Sequence, residues 1–177
     1  MAAQLSVTVV LGVVAVLNLL LTVGVIRRLK DHEQRFTELS SDGGAPDAQP
    51  SVGTVVPDFT VATTTGGKVT GADLRDGGLI GFFSVGCPPC AEQLPDFVGV
   101  LRAMDDTPAL IVIEAGSAED AAAFLEVTGD LPVVLDGGDG LGKAFGVNRF
   151  PSMAHLSGGA VAANAHTVAR LLTQVPG

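Results

Sequence analysis

From residue 5 to residue 26 the chain reads LSVTVVLGVVAVLNLLLTVGVI, without a single charge. A helix of that length spans roughly 33 Å, enough for a bilayer core of about 30 Å. The run is apolar all round, so it does not read as the buried stripe of a globular helix. A cleaved leader would want a basic start and a small-x-small exit. The chain instead starts MAAQ and leaves the run through Gly24-Val25-Ile26-Arg27, so an uncleaved transmembrane anchor over 1–26 is expected. Residues 27–40, RRLKDHEQRFTELS, extend as a charged stalk with Arg27–Asp31 and Asp31–Arg35 at i,i+4 spacing. Ile26, Leu29, Phe36 and Leu39 fall near one stripe, which suits a weak homodimer through anchor and stalk. SDGGAPDAQPSVGT, 41–54, loses all apolar period and reads as linker. The juxtamembrane stalk and linker therefore cover 27–54.

Past Val55 the pattern alternates between strand-like and helix-like stretches. VVPDFTVA predicts a first strand, and TTTGGKVTGADL a Gly-Gly turn with a second, giving a hairpin. LIGFFSV (79–85) and ALIVIEA (109–115) are continuous apolar runs, as in strands buried on both faces. Between them, EQLPDFVGVLRAM predicts a helix that begins at Cys87. Ser117 and Asp120 suggest a capping box for the helix AEDAAAFLEVT. LPVVLD predicts a short strand and GLGKAFGV a short helix. PSMAHL and AVAANA pair around Ser157-Gly158-Gly159, and HTVARLLTQV closes the chain with an amphipathic helix. The alternation makes 55–177 an α/β domain.

Composition narrows the function. Net charge is −9, with ten Lys+Arg against nineteen Asp+Glu. No basic patch is long enough to track phosphates, so nucleic acid is not an expected partner. There are only two cysteines, too few for a disulfide scaffold or for a four-ligand zinc site of their own.

Both cysteines lie in SVGCPPCAEQLP, 84–95. Strand LIGFFSV delivers Cys87 to a helix N-terminus, which favours the thiolate, the attacking form in disulfide exchange. Cys90 follows one turn later on the same face. Pro88 and Pro89 suit a first helical turn, where a missing N–H costs no intrahelical bond. They also leave only Cys90 and Ala91 as backbone donors to the Cys87 sulfur, so the thiolate should be moderately stabilised. A disulfide here would close too small a ring to act as a staple. A redox pair explains the motif best. Half a metal site and a pair of inert thiols are the alternatives.

GFFSVGCPPCAEQLPDF resembles the active-site region of thioredoxin-fold proteins of the TlpA/ResA type, including MauD-like members. GTVVPDFTV resembles their domain start, TGGKVTGADLRDG their hairpin, and LPVVLDGGDGLGKAFGVNRFPSMAHLSGG the stretch ending in their active-site cis-proline. The likeness spans roughly 52–175. It implies a thioredoxin-like domain, a central mixed sheet flanked by helices, in a membrane-tethered thiol–disulfide oxidoreductase. By position Cys87 matches the nucleophile, Cys90 the resolving cysteine, and Pro151 the cis-proline that helps hold an extended substrate strand. The implied partners are a protein disulfide substrate and an upstream electron-donor protein; no cofactor or metal is implied.

Three departures bear on chemistry. Gly86 stands where members usually carry Trp. Gln93 stands where many have a Glu that tunes the buried cysteine; Glu114, at a strand end, is a candidate substitute. Phe150, before Pro151, is bulkier than the usual neighbour and a candidate cover for the disulfide. His32 and His166 are expected on solvated surface. His155 would be the third ligand if the cysteines held copper or zinc in an assembly module, and a non-catalytic partner-binding tether is a further alternative. Membrane sidedness draws two answers. Arg27, Arg28, Lys30 and Arg35 follow the anchor, and the positive-inside rule would keep the domain cytoplasmic. The resemblance and the logic of thiol compartments favour the extracytoplasmic face.

Overall fold

A computed structural model of the chain describes residues 49–175 except Asp105 and Asp139. These residues belong to the unit that runs from Asp47 to Gly177. The expected anchor at 5–26, the stalk and its dimer stripe, and His32 lie outside them. No helix among the described residues is long and apolar enough to cross a membrane.

The elements follow one another as β1 (Thr60–Ala62), β2 (Lys68–Thr70), α1 (Gly71–Leu74), β3 (Leu79–Ser84), α2 (Pro88–Ala103), β4 (Ala109–Glu114), α3 (Ala122–Thr128), β5 (Val133–Asp136), α4 (Leu141–Ala144), β6 (Ser152–Ser157), β7 (Ala160–Ala165) and α5 (Val168–Leu172). β1 and β2 form a separate antiparallel hairpin, and the other strands make one sheet in the order β5-β4-β3-β6-β7. β3, β4 and β5 are parallel, while β6 and β7 run antiparallel. This is the mixed sheet of a thioredoxin-like fold.

The two central runs are apolar throughout because each of their faces is covered. Phe83, Ile111, Ile113 and Met153 pack on one face with Leu94, Phe97 and Leu101 of α2 and with Val168 and Leu171 of α5. Phe82, Leu110 and Val112 pack on the other with Leu74, Leu141 and Phe145. α2 buries Cys90, Leu94, Phe97, Val98 and Leu101, the 3.6-residue stripe that fixes its rotation over the sheet. Gly81 lets it sit close: a Cβ there would lie 2.6 Å from the Phe97 ring and 2.8 Å from that of Phe83.

Several elements differ from the sequence reading, among them an unexpected short helix at Gly71–Leu74. The strand expected over 55–62 is reduced to Thr60–Ala62 plus a lone bridge from Val55 to Ala160, because Pro57 has no N–H to continue a ladder. Just upstream, the segment that composition groups with the linker lies along β7. Gly53 N–H donates to Val161 O at 2.8 Å, and Asn164 Nδ2 donates to Pro50 O at 2.7 Å. The Ser117–Asp120 motif is also displaced. The Ser117 hydroxyl accepts from Asp120 N–H at 3.2 Å and donates to its carboxylate at 2.7 Å. This organises a tighter turn, in which Ala122 N–H bonds Glu119 O, and α3 starts only afterwards, without a side-chain cap.

Candidate active site at the first turn of α2

Cys87 and Cys90 are joined as a disulfide with Cα atoms 5.3 Å apart. Cys87 is the N-cap of α2, with extended backbone, and Pro88 and Pro89 occupy the first two helical positions. Gly86, at φ +78°, turns the chain from β3 into the helix. An L side chain rarely adopts that conformation, so a Trp at this position would be strained. Cys87 is half-buried and flanked by exposed Gly86, Pro88 and Pro89. Cys90 is fully buried. An incoming sulfur therefore meets Cys87 first.

The hydrogen bonds around the two sulfurs are few. Cys90 N–H reaches Cys87 Sγ at 3.3 Å. Ala91, expected to be a second donor, gives its N–H to the Cys87 carbonyl at 3.2 Å instead, as the helix ladder requires. Ser84 N–H, at the end of β3, points at Cys90 Sγ at 3.5 Å. Across the site the Phe150–Pro151 peptide bond is cis, and Phe150 O lies 3.8 Å from Cys87 Sγ. Phe150 is partly buried between the two cores; it contributes its carbonyl to the site.

The remaining sequence candidates are placed elsewhere or otherwise employed. Gln93 Oε1 accepts from Val168 N–H at 2.9 Å, so this position ties the active-site helix to the start of α5. Glu114 pairs in register with Ser84 and Asp136. Alternation puts all three on the Phe82–Val112 face of the sheet, whereas Cys90 packs on the opposite face. Glu114 lines an open cleft with Asp120, beyond Ser84 and Val85. It does not stand in for the carboxylate missing at Gln93.

His155 is paired with Leu79, at the far end of β3 from Ser84 and Cys90. Five strand residues separate the two ends, roughly 17 Å. A copper or zinc set of Cys87, Cys90 and His155 is not assembled, and among the described residues no cluster of three or more His, Cys, Asp or Glu has metal-binding geometry. Burial lowers the His155 pKa from 6.5, and its Nδ1 has no partner among the described residues.

His166 overturns the expectation of a solvated surface. It is half-buried, and its Nδ1 lies 2.6 Å from the carbonyl oxygen of Pro151. No local signal marks this contact, because it closes across fifteen residues between the start of β6 and the end of β7. Asp136 was also missed. Its buried carboxylate accepts from the N–H groups of Gly138, Gly140 and Gly142 at 3.1, 3.0 and 3.0 Å. The glycine spacing in DGGDGLG was a readable sign of backbone drawn close to an acid.

A disulfide at a helix N-cap, with one sulfur accessible, its partner buried and a cis-proline segment against it, can pass through a mixed disulfide and return. Fold and site together define a thioredoxin-like thiol–disulfide oxidoreductase with a CxxC pair. The chain belongs to the AhpC/TSA family, whose pattern matches residues 52–169. No curated protein sequence matches it significantly. Among solved structures it is similar to the thioredoxin domain of a thiol-disulfide oxidoreductase from Bacteroides vulgatus, at 20% identity and TM-score 0.59 over 70% of this chain and 94% of that one. A thioredoxin-family thiol:disulfide interchange protein from Chlorobium tepidum TLS gives 22%, TM-score 0.55, and 63% and 84% coverage. StoA from Bacillus subtilis gives 21%, TM-score 0.55, and 64% and 90%. At these identities the likeness establishes the fold.

Proposed function

We propose that this protein is a membrane-tethered reductase of protein disulfides, anchored through residues 5–26 with its thioredoxin-like domain on the extracytoplasmic face. The observation that carries the direction is that, among the described residues, a single N–H reaches the Cys87 sulfur. A thiolate with little stabilisation favours the disulfide form of the protein, and its dithiol is then a good reductant.

The cycle balances as follows. The Cys87 thiolate attacks one sulfur of the substrate disulfide, forming a mixed disulfide and releasing one substrate thiolate, which takes up a proton. Cys90, after losing its proton, attacks Cys87 Sγ and releases the second substrate thiol. Two electrons have passed to the substrate, and Cys87–Cys90 is oxidised. An upstream dithiol protein restores it by the same exchange. Phe150 and Pro151 border the groove in which an extended substrate strand would lie beside Cys87.

With Cys90→Ala the second attack cannot occur, and the substrate should remain attached to Cys87. Recovery of a dithiothreitol-sensitive adduct on Cys90→Ala, absent from Cys87→Ala, is the expected result. No adduct on either variant would overturn the reading. A C-terminal reporter active only after export tests the placement: an inactive reporter, with Cys87 shielded from a membrane-impermeant thiol reagent in intact cells, would put the domain inside. The copper-module reading gains nothing from the position of His155.

A further inference from the structure

The turn between β7 and α5 touches both halves of the redox site. Val168 N–H is held by Gln93 of α2 at 2.9 Å, one turn beyond Cys90. His166, two residues earlier, meets Pro151 O at 2.6 Å. Phe150, next to Pro151, brings its carbonyl to 3.8 Å from Cys87 Sγ. The contacts form a closed circuit: Cys87, α2, Gln93, Val168, His166, Pro151, Phe150 and back to Cys87. In this circuit the Gln93 and His166 links are side-chain hydrogen bonds that a point substitution can cut.

The chemistry of the His166 contact is fixed by its partner. A carbonyl oxygen only accepts, so Nδ1 must carry the proton. Pro151 has no N–H, and Ser152 begins β6, which the sheet ladder holds from there on. At Pro151 O, the side chain of His166 supplies the hydrogen bond just ahead of that ladder.

We infer that His166 is a positioning residue of the redox site: by holding the Pro151 carbonyl it fixes the Phe150–Pro151 backbone against Cys87 and so sets the affinity for the substrate strand. The inference rests on the reading of that segment as the border of the substrate groove. His166 reaches no sulfur in this arrangement and acts through the backbone. Its loss should therefore weaken binding of a peptide disulfide while the exchange step at Cys87 is affected less.

The test uses the full chain in detergent, dithiothreitol as electron donor, and a synthetic extended peptide with one internal disulfide. His166→Ala should raise KM about tenfold, the equivalent of one hydrogen bond, with kcat falling less than twofold. His166→Gln, whose amide N–H can reach the same carbonyl, should recover most of the loss and covers the case in which the alanine variant folds poorly. An unchanged KM in both variants, or a fall confined to kcat, would overturn the inference. Nitrogen-15 spectra give a readout that needs no turnover. The wild-type His166 ring should carry its proton on Nδ1; His166→Ala should displace the Phe150 and Ser152 amide signals, and His166→Gln should return them toward their wild-type positions. An unprotonated Nδ1, or unmoved signals at 150 and 152, would also overturn it. If the wild type reduces no peptide, the functional reading fails separately, and the spectra still decide whether His166 holds the segment.

Discussion

Two strand-to-helix junctions lie at the same end of the sheet, and they treat a helix N-terminus in opposite ways. After β5, the buried Asp136 carboxylate takes three N–H groups on the way into α4. After β3, the helix start holds Cys87, and among the described residues only Cys90 N–H reaches its sulfur. An N-cap side chain draws on the second and third helical residues. At α2 the second is Pro89, which has no N–H to give. One junction is satisfied and structural. The other is kept short of donors, so that its sulfur can exchange bonds with a substrate. Lying at the same end of the sheet does not make two helix starts equivalent; the number of N–H donors facing the acceptor separates a structural carboxylate from a reactive sulfur.

The sharpest way to break this contrast is to remove each acceptor. Asp136→Ala should destabilise the domain by about 2–3 kcal/mol, since charge-assisted bonds are lost and water replaces them only in part. Urea unfolding of the variant should show it, with exchange activity retained in the folded fraction. Cys87→Ala should do the reverse. Turnover should vanish, while stability stays within about 1 kcal/mol of the reduced wild type, because the site is half open and its ring encloses two residues. A stable Asp136→Ala would mean that the three bonds are incidental.

Two glycines sharpen the same comparison at a smaller scale. Gly140 has a negative φ, but a Cβ there would lie 2.6 Å from Asp136 Oδ1. Gly86 has open space around it and a φ of +78°. Gly140→Ala should therefore cost about 2 kcal/mol through overpacking, and Asp136→Ala should remove most of that penalty. Gly86→Ala should cost about 1 kcal/mol from backbone strain alone, with no second-site relief. Equal rescue of both variants by Asp136→Ala would contradict the distinction.

Restoring the missing donor tests the redox side. Pro89→Ala gives the second helical residue an N–H aimed at the cap. One added hydrogen bond to a thiolate is worth about 1.5 kcal/mol, and about 1.4 kcal/mol corresponds to 30 mV for a two-electron couple. The couple should become about 30 mV more oxidising in a glutathione buffer, and brief alkylation of Cys87 should show a lower pKa. A potential unmoved by Pro89→Ala would remove donor scarcity as the source of the proposed reducing character.

What the sequence made legible divides along the same line. The strand runs, the start of α2 and the placement of Cys87 and Cys90 depend on neighbours within a few residues, and these could be read directly. Gln93 and His166 could not, because their partners Val168 and Pro151 lie seventy-five and fifteen residues away. Helical periodicity locates a face without naming what covers it. Glu114 misled for a related reason. A strand-end acid beside an active strand looks available to the cysteines, but the parity of the sheet register decides its face, and β3 and β4 put Cys90 on the other one. Ser117 accepts from Asp120 N–H as expected, but the Asp120 carboxylate takes the Ser117 hydroxyl, and the chain makes a tighter turn before α3 begins.

The smallest expected effect comes from the opposite end of the sheet and serves to isolate the two junctions from acid. His155 is buried on β6 between Leu79 and Ala163, and its Nδ1 has no partner among the described residues. Burial lowers its pKa below 6.5 because the charged ring would lose hydration. The unfolded chain then binds the proton more readily than the folded one. Stability is fully present above about pH 6.5 and declines as pH falls toward the lowered folded value. This window lies in the ordinary histidine range, so a loss of stability there that His155→Leu removes reports on His155. Denaturant midpoints at pH 7.5 and pH 5.5 should differ in the wild type by a modest amount, and His155→Leu should flatten that difference. A slope that survives in His155→Leu would place the acid-sensitive group elsewhere. Activity measured across the same window would then no longer compare the two junctions on an intact fold.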